Sequence, residues 1–106
     1  LFTLDIDSST NDAAITLPAL TAGLEYMFVV QSTAGSGVGL TLSGPSDVLE
    51  GVAVLDDATK DITAKTSIIF ADTKAIVGTR ISAVCDGVKW NIVLHGLCDD
   101  SELTFS

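Results

Sequence analysis

Histidine and cysteine carry much of the chemistry that side chains perform near neutral pH. This sequence holds one histidine, His95, and two cysteines, Cys85 and Cys98. Catalysis by side chains needs a nucleophile, a base and a group that orients the base. No Gly-x-Ser-x-Gly elbow, Walker loop or His-Glu-x-x-His motif supplies that set. On the strand register derived below, His95 shares a face with Arg80 and Lys89, which predicts a solvent-facing histidine rather than a catalytic base. Metal ligation by Cys85, His95 and Cys98 lacks a fourth ligand and a Cys-x-x-Cys spacing. Cys98 lies ten residues beyond Val88, roughly 33 Å of extended chain. A disulfide would therefore require a reversal near His95-Gly96, and two buried free thiols are the expectation.

The carboxylates offer a second kind of chemistry. Alternate Asp residues at Asp5, Asp7 and Asp12 suit Ca²⁺, but an EF-hand loop starting at Asp5 needs Gly at its sixth position and Glu at its twelfth. This chain has Thr10 and Thr16 there. What remains is an adventitious Ca²⁺ contact at that end or at Asp56-Asp57. Paired carboxylates for sugar hydrolysis depend on spatial pairing. Sugar sites also use aromatic platforms, and here Phe28, Phe70 and Trp90 read as core. Gly35-Ser36-Gly37-Val38-Gly39 has no strand-to-helix unit around it and reads as a loop, not as a dinucleotide fingerprint. No catalytic residue, cofactor or resident metal is expected.

The elements that would position these groups are strands. Arg80–Cys85 and Val88–His95 flank Asp86-Gly87, a strong hairpin signal because both central residues of a type I′ turn need positive φ. With the turn at Asp86-Gly87, Cys85 faces Val88, Ala83 faces Trp90 and Ile81 faces Ile92. One face then carries Ile81, Ala83, Cys85, Val88, Trp90, Ile92 and Leu94. The other carries Arg80, Ser82, Val84, Lys89, Asn91, Val93 and His95. Phe2–Asp7 alternates strictly, Ser8–Asp12 is a polar turn, and Ala14–Leu17 is a strand stopped by Pro18. Glu25–Gln31 is apolar nearly throughout, which predicts a strand covered on both faces. Together with Val38–Leu42 it predicts a second hairpin with a longer loop. Val48–Leu55 predicts a strand with a bulge near Gly51. Asp56–Asp61 reads as a polar tip, Ser67–Ala71 as a short buried strand, and Leu103–Phe105 as a last edge strand. Eight or nine short strands with frequent turns and no helix predict one all-β domain over 1–106. Its architecture is an antiparallel β-sandwich or small barrel of jelly-roll-like type.

Composition bounds what such a domain does. The 106 residues are 47% hydrophobic and only 18% charged, against about a quarter in typical domains. A lone domain of this size has little interior, so part of the apolar surface is expected to be covered by another subunit or a larger assembly. Fourteen acidic and five basic residues give a net charge of −9. That field repels phosphate backbones and excludes nucleic acid bound through a basic face. It keeps the free protein soluble and also suits a basic partner surface. The uncharged run Tyr26–Ser46 is broken by Gly35, Ser36, Gly37, Gly39, Gly44 and Pro45, so no membrane helix is expected. No secretory signal is visible, and a start at Leu1 is expected of a processed or excised segment.

Two segments, Ile15–Val30 (ITLPALTAGLEYMFVV) and Ile81–Val93 (ISAVCDGVKWNIV), carry a further signal. They resemble a pattern of small β-domains in tailed-bacteriophage virions, where a strand pair with Leu-Pro-Ala, Gly, Tyr and Phe opens the domain and an Asp-Gly hairpin with Trp closes it. Leu17, Pro18, Gly23, Tyr26 and Phe28 match the first part, and Asp86, Gly87 and Trp90 the second. The resemblance implies structural roles for these eight residues, the Gly and aromatic residues stacking the sheets and Trp90 packing the core. It implies a virion structural protein, a capsid decoration or cement protein that stabilises the shell as a homotrimer against the major capsid protein or another virion protein. Its location would be the outer capsid surface or a fibre. The alternatives are a head- or tail-fibre β-domain that binds a receptor or carbohydrate, and a small hydrolase using scattered carboxylates.

Overall fold

The computed structural model describes residues 2–5, 13–33, 35 and 37–106. The expectations placed on Ile6–Asp12, with the candidate ligands Asp7 and Asp12, lie outside these residues. The chain is all-β, with strands β1 (Phe2–Asp5), β2 (Ala13–Thr16), β3 (Glu25–Ser32), β4 (Leu40–Ser43), β5 (Leu49–Val54), β6 (Thr59–Lys65), β7 (Ser67–Phe70), β8 (Arg80–Cys85), β9 (Trp90–His95) and β10 (Leu103–Phe105). They form a six-stranded sheet, order β1-β3-β8-β9-β5-β6, and a four-stranded sheet, order β10-β7-β4-β2. The two sheets pack as a sandwich around a single core that includes Phe28, Leu40, Ile68, Phe70, Trp90 and Ile92.

Both sheets are mixed. β1 runs parallel to β3, β2 to β4, and β5 to β9. The chain steps between the sheets at nearly every connection. A strand that returns to a sheet after visiting the other is free to lie parallel to its neighbour, because no tight turn forces reversal. The same stepping corrects the second hairpin. β3 belongs to the larger sheet and β4 to the smaller, so the Gly-rich connector crosses the sandwich edge instead of closing a ladder.

The β8–β9 hairpin forms with a register two residues away from the one expected. Trp90 faces Cys85, Ile92 faces Ala83, and Leu94 faces Ile81. A shift of two keeps every strand side chain on its expected face, and only Val88, now in the turn, leaves it. The turn is centred on Gly87-Val88, closed by the Asp86 N–H donating to the Lys89 carbonyl at 3.2 Å. Asp86 Oδ1 accepts from the Val88 and Lys89 N–H groups, both at 2.8 Å. Only Gly87, at φ +93°, takes positive φ, as in a type II′ turn. The Asp side chain thus organises the turn from its first position, and Val88 rides at the tip, 68% exposed instead of in the buried face.

Two further differences concern burial. β3 is not covered on both sides: Phe28 and Val30 face the core while Met27 is 41% exposed. An apolar run shows only that no charge needs water, not that both faces are covered. β6 is a strand that begins inside the stretch Asp56–Asp61 expected to be a polar tip. Its residues TKDITAK place only Ile62 in the core, which is what a charged edge strand requires to resist pairing with other chains. The bulge near Gly51 is present, as a register shift in the β5–β6 pairing between Leu49 and Gly51. Gly51 has φ +146°, and a Cβ there would land on the Ile92 carbonyl. Only glycine lets β5 approach β9 this closely.

Candidate functional site

The eight residues of the two resembling segments lie along the β2–β3 connection, β3 and the β8–β9 hairpin, with Leu17, Phe28 and Trp90 buried and Pro18, Gly23, Asp86 and Gly87 exposed. Leu17 is buried where the chain leaves β2, its N–H donating to the Ser43 carbonyl at 2.8 Å. Pro18 stops the strand, and its carbonyl accepts the Trp90 indole N–H at 3.2 Å. This bond satisfies the one polar atom of a side chain that is otherwise sealed in the core. Gly23, at φ +91°, turns the chain into β3. Its N–H donates to the Cys85 carbonyl at 3.0 Å, and the Cys85 N–H returns a bond to the Leu24 carbonyl at 2.8 Å. Gly87 packs on Ala22, whose Cβ would sit 3.3 Å from a Cβ at that position. Tyr26 lies with its ring 5.9 Å from that of Trp90 and 6.3 Å from that of Phe28. Phe28 in turn stacks on Phe2 at 5.4 Å.

This aromatic row opens onto a groove of about 370 Å³, with Phe2, Tyr26 and Phe28 on one side and Ile15–Pro18 on the other. The groove runs between edge strand β1 of the larger sheet and edge strand β2 of the smaller. Its polar groups are the hydroxyls of Tyr26 and Thr16; the rest of the lining is apolar. Such a surface can seat an apolar or ring-shaped group by contact and stacking, and among the described residues its lining carries no charged side chain.

The second region is the outer face of the larger sheet, built by the side chains that alternate with the core. Three cross-strand rows are set by the registers. The central row is Met27, Ser82, Val93 and Val52, with Asp61 on the β6 edge. One flanking row is Glu25, Val84, Asn91 and Glu50; the other is Val29, Arg80, His95 and Val54. Met27, Val54, Val84 and Val93 (46% exposed) stand out to solvent. His95 lies on this face opposite Arg80, as expected from sequence, whereas Cys85 on the same hairpin points into the core. The sequence marked the hairpin's share of the face. Its extension onto β3 and β5 was hidden because sequence alone does not show which strands adjoin.

The third region is acidic. Asp56 and Asp57 sit in the turn between β5 and β6, near Asp99, Asp100 and Glu102. The Asp100 N–H donates to Asp57 Oδ1 at 2.8 Å, and Asp99 N–H to Glu102 Oε1 at 2.8 Å. Lys74 pairs with Glu102 at 3.0 Å and Lys60 with Asp100 at 3.1 Å. The Asp99 N–H bond, then Lys74, holds Glu102 below the usual carboxylate range. Repulsion from Asp57, then Glu102, pushes Asp99 up. Burial pushes the Cys98 thiol up, away from reactive thiolate. Among the described residues no group of three or more His, Cys, Asp or Glu is placed to hold a metal ion, and Cys85 and Cys98 are both buried and free. Among them, too, no helix is long and apolar enough to cross a membrane.

Comparison of the chain with protein-family models, with curated proteins and with solved structures finds no match in any of the three.

Proposed function

We propose that this chain is a structural protein of a tailed-bacteriophage virion, a decoration or cement protein held on the outside of the capsid. It stabilises the shell by contact area with the major capsid protein and with further copies of itself, the homotrimer being the assembly the resemblance implies. No catalytic step is assigned to it. The observation that carries the reading is the outer face of the larger sheet, where a regular strand pattern leaves Met27, Val54, Val84 and Val93 exposed on well-paired strands. A shell clamp needs complementary area, not reactive groups; about 1,600 Å² makes a standard stable contact. The contacts of Trp90 with Pro18 and Tyr26, and of Tyr26 with Phe28, add support, since the resemblance assigns these residues a structural role. Sedimentation of intact particles with quantitative mass spectrometry tests the reading. The chain should band with the major capsid protein at a fixed ratio; its absence from the particle band would overturn the proposal.

A second reading is favoured by one observation, the open groove beside Phe2 and Tyr26. A fibre domain that binds a carbohydrate would stack a sugar ring there. A glycan array would give micromolar hits, lost on Tyr26→Ala, if this were the role.

A further inference from the structure

We infer that the outer face of the six-stranded sheet mates with the same face of a second copy, through a two-fold contact. The contact uses the face on which the proposed function rests and supplies that reading's contact with further copies of the chain, leaving the capsid to be met by another surface.

The charge layout carries the inference. The chain is −9 overall, and like copies repel one another over most of their surface. The outer face departs from that balance. Its charged groups are Glu25, Glu50 and Asp61 against Arg80 and Lys89, with His95 beside Arg80. Lys89 already pairs with Glu50 at 2.7 Å. The remainder is ordered along the strands: Glu25 lies in the row at one end and Arg80 and His95 in the row at the other, while the row between holds Met27, Ser82, Val93 and Val52 and ends in Asp61 on the β6 edge. The two flanking rows are four residues apart along each strand, roughly 13 Å.

A two-fold axis in the plane of the sheet, lying along the central row, inverts one copy's strands over the other's. The acidic row of each copy then covers the basic row of its mate. Arg80 of one copy comes within side-chain reach of Glu25 of the second copy, twice by symmetry, while Met27 and Val93 meet their own equivalents and the exposed Asp61 carboxylates meet at the β6 rim, where water separates them. A two-fold contact uses one self-complementary patch in this way. Sheets pack face to face about 10 Å apart with strand directions within about 30° of each other, a gap that these side chains fill.

Area agrees. From strand spacing and rise, the face over β3, β8, β9, β5 and β6 measures roughly 24 Å by 17 Å, about 400 Å² in plan. Two such faces, counted over the relief of their side chains, approach the ~1,000 Å² that marks a specific contact. An area of this size suits a reversible association.

Analytical ultracentrifugation of the full chain over a concentration series tests the contact. The associated species should hold an even number of copies: two, or six where a trimer also forms. Arg80→Glu should weaken the two-fold association at least tenfold and halve that mass. Combining it with Glu25→Arg should restore association, because the acidic and basic rows exchange ends. Val93→Asp, at the centre of the face, should abolish association with the unfolding midpoint of the monomer unchanged, and serves if the charge reversal disturbs folding. A chain that stays monomeric, a species of three copies only, or variants that associate like the parent chain would overturn the inference. None of these results would bear on whether the chain bands with virus particles.

Discussion

Within the β8–β9 hairpin, neighbouring residues of one strand belong to two different surfaces. Trp90, Ile92 and Leu94 point inward and are fully buried; Asn91, Val93 and His95 point outward and are exposed. The inward residues are apolar because the core demands it. The outward ones are not uniformly polar: Val93 sits in a row with Met27 and Val52, flanked by rows of opposite charge. Strand alternation therefore explains the first face completely and leaves the second with more apolar area than a solvated face requires. The inner face is built for folding, and the outer is the one we propose for association.

The sharpest way to break this contrast is to cut two adjacent residues by the same chemistry. Ile92→Ala should cost about 3–4 kcal/mol, the transfer of a branched side chain plus the cavity left in a packed core. Val93→Ala should change monomer stability by no more than about 0.5 kcal/mol. Urea unfolding at a protein concentration low enough to exclude association measures both. Equal costs at the two positions would show that the outer face is as integral to the fold as the inner, and the distinction would fail.

Gly51 tests the same sheet where it is most constrained. Its φ of +146° is foreign to L side chains, and the Ile92 carbonyl occupies the space of a Cβ. Gly51→Ala should cost about 2 kcal/mol or more, from backbone strain and from separating β5 and β9. Both faces depend on that parallel pairing, since it carries the core row onward from Ile92 and the outer row from Val93 to Val52. The variant should therefore lose both stability and association, whereas Val93→Asp should lose association alone. An Ala at Gly51 that unfolds at the parent midpoint would mean that the close approach is not required.

How much of this was legible in the sequence follows from the range of each interaction. The hairpin faces, the bulge at Gly51 and the end strand at Leu103–Phe105 rest on local patterning, and they stand in the structure as read. The register around Asp86 differs by two from the expected one because the turn's central residues are Gly87 and Val88, not Asp86 and Gly87. In fact the Asp86 carboxylate caps two N–H groups from the position before them. β6 was missed because an edge strand needs only one inward side chain, Ile62, and its charges mimic a loop. The pairings of β1 with β3, β2 with β4 and β5 with β9 had no local signal: parallel neighbours are brought together by crossings between sheets, not by turns. The outer apolar row and the groove beside Phe2 are products of those long-range pairings, so neither was visible before the strands were assembled.

The smallest effect expected concerns the tip of the hairpin that carries both faces, and it is read through pH. The backbone N–H groups of Lys89 and then Val88, with the Asn91 side chain, hold the Asp86 carboxyl below the usual Asp range. A carboxylate with a lowered folded value adds stability above its unfolded value, about 3.9, and loses it as pH falls through the folded one. Glu102 has the same sign. Asp99 has the opposite sign: its folded value is raised, so its protonation on acidification relieves repulsion from Asp57. The three overlap in the acid limb of the stability curve, and only a difference between variants isolates one of them. Asp86→Asn keeps an oxygen that can accept from Val88 and Lys89 but removes the titrating charge. Thermal midpoints followed from pH 7 to pH 2 should show the parent chain ahead at neutral pH, with its lead shrinking once pH drops below the ordinary Asp value. A lead that stays constant across the range would mean that hydrogen bonding alone, without the charge, sets the turn. The β8–β9 register would then owe nothing to ionisation, and the outer rows it aligns would keep their order in acid.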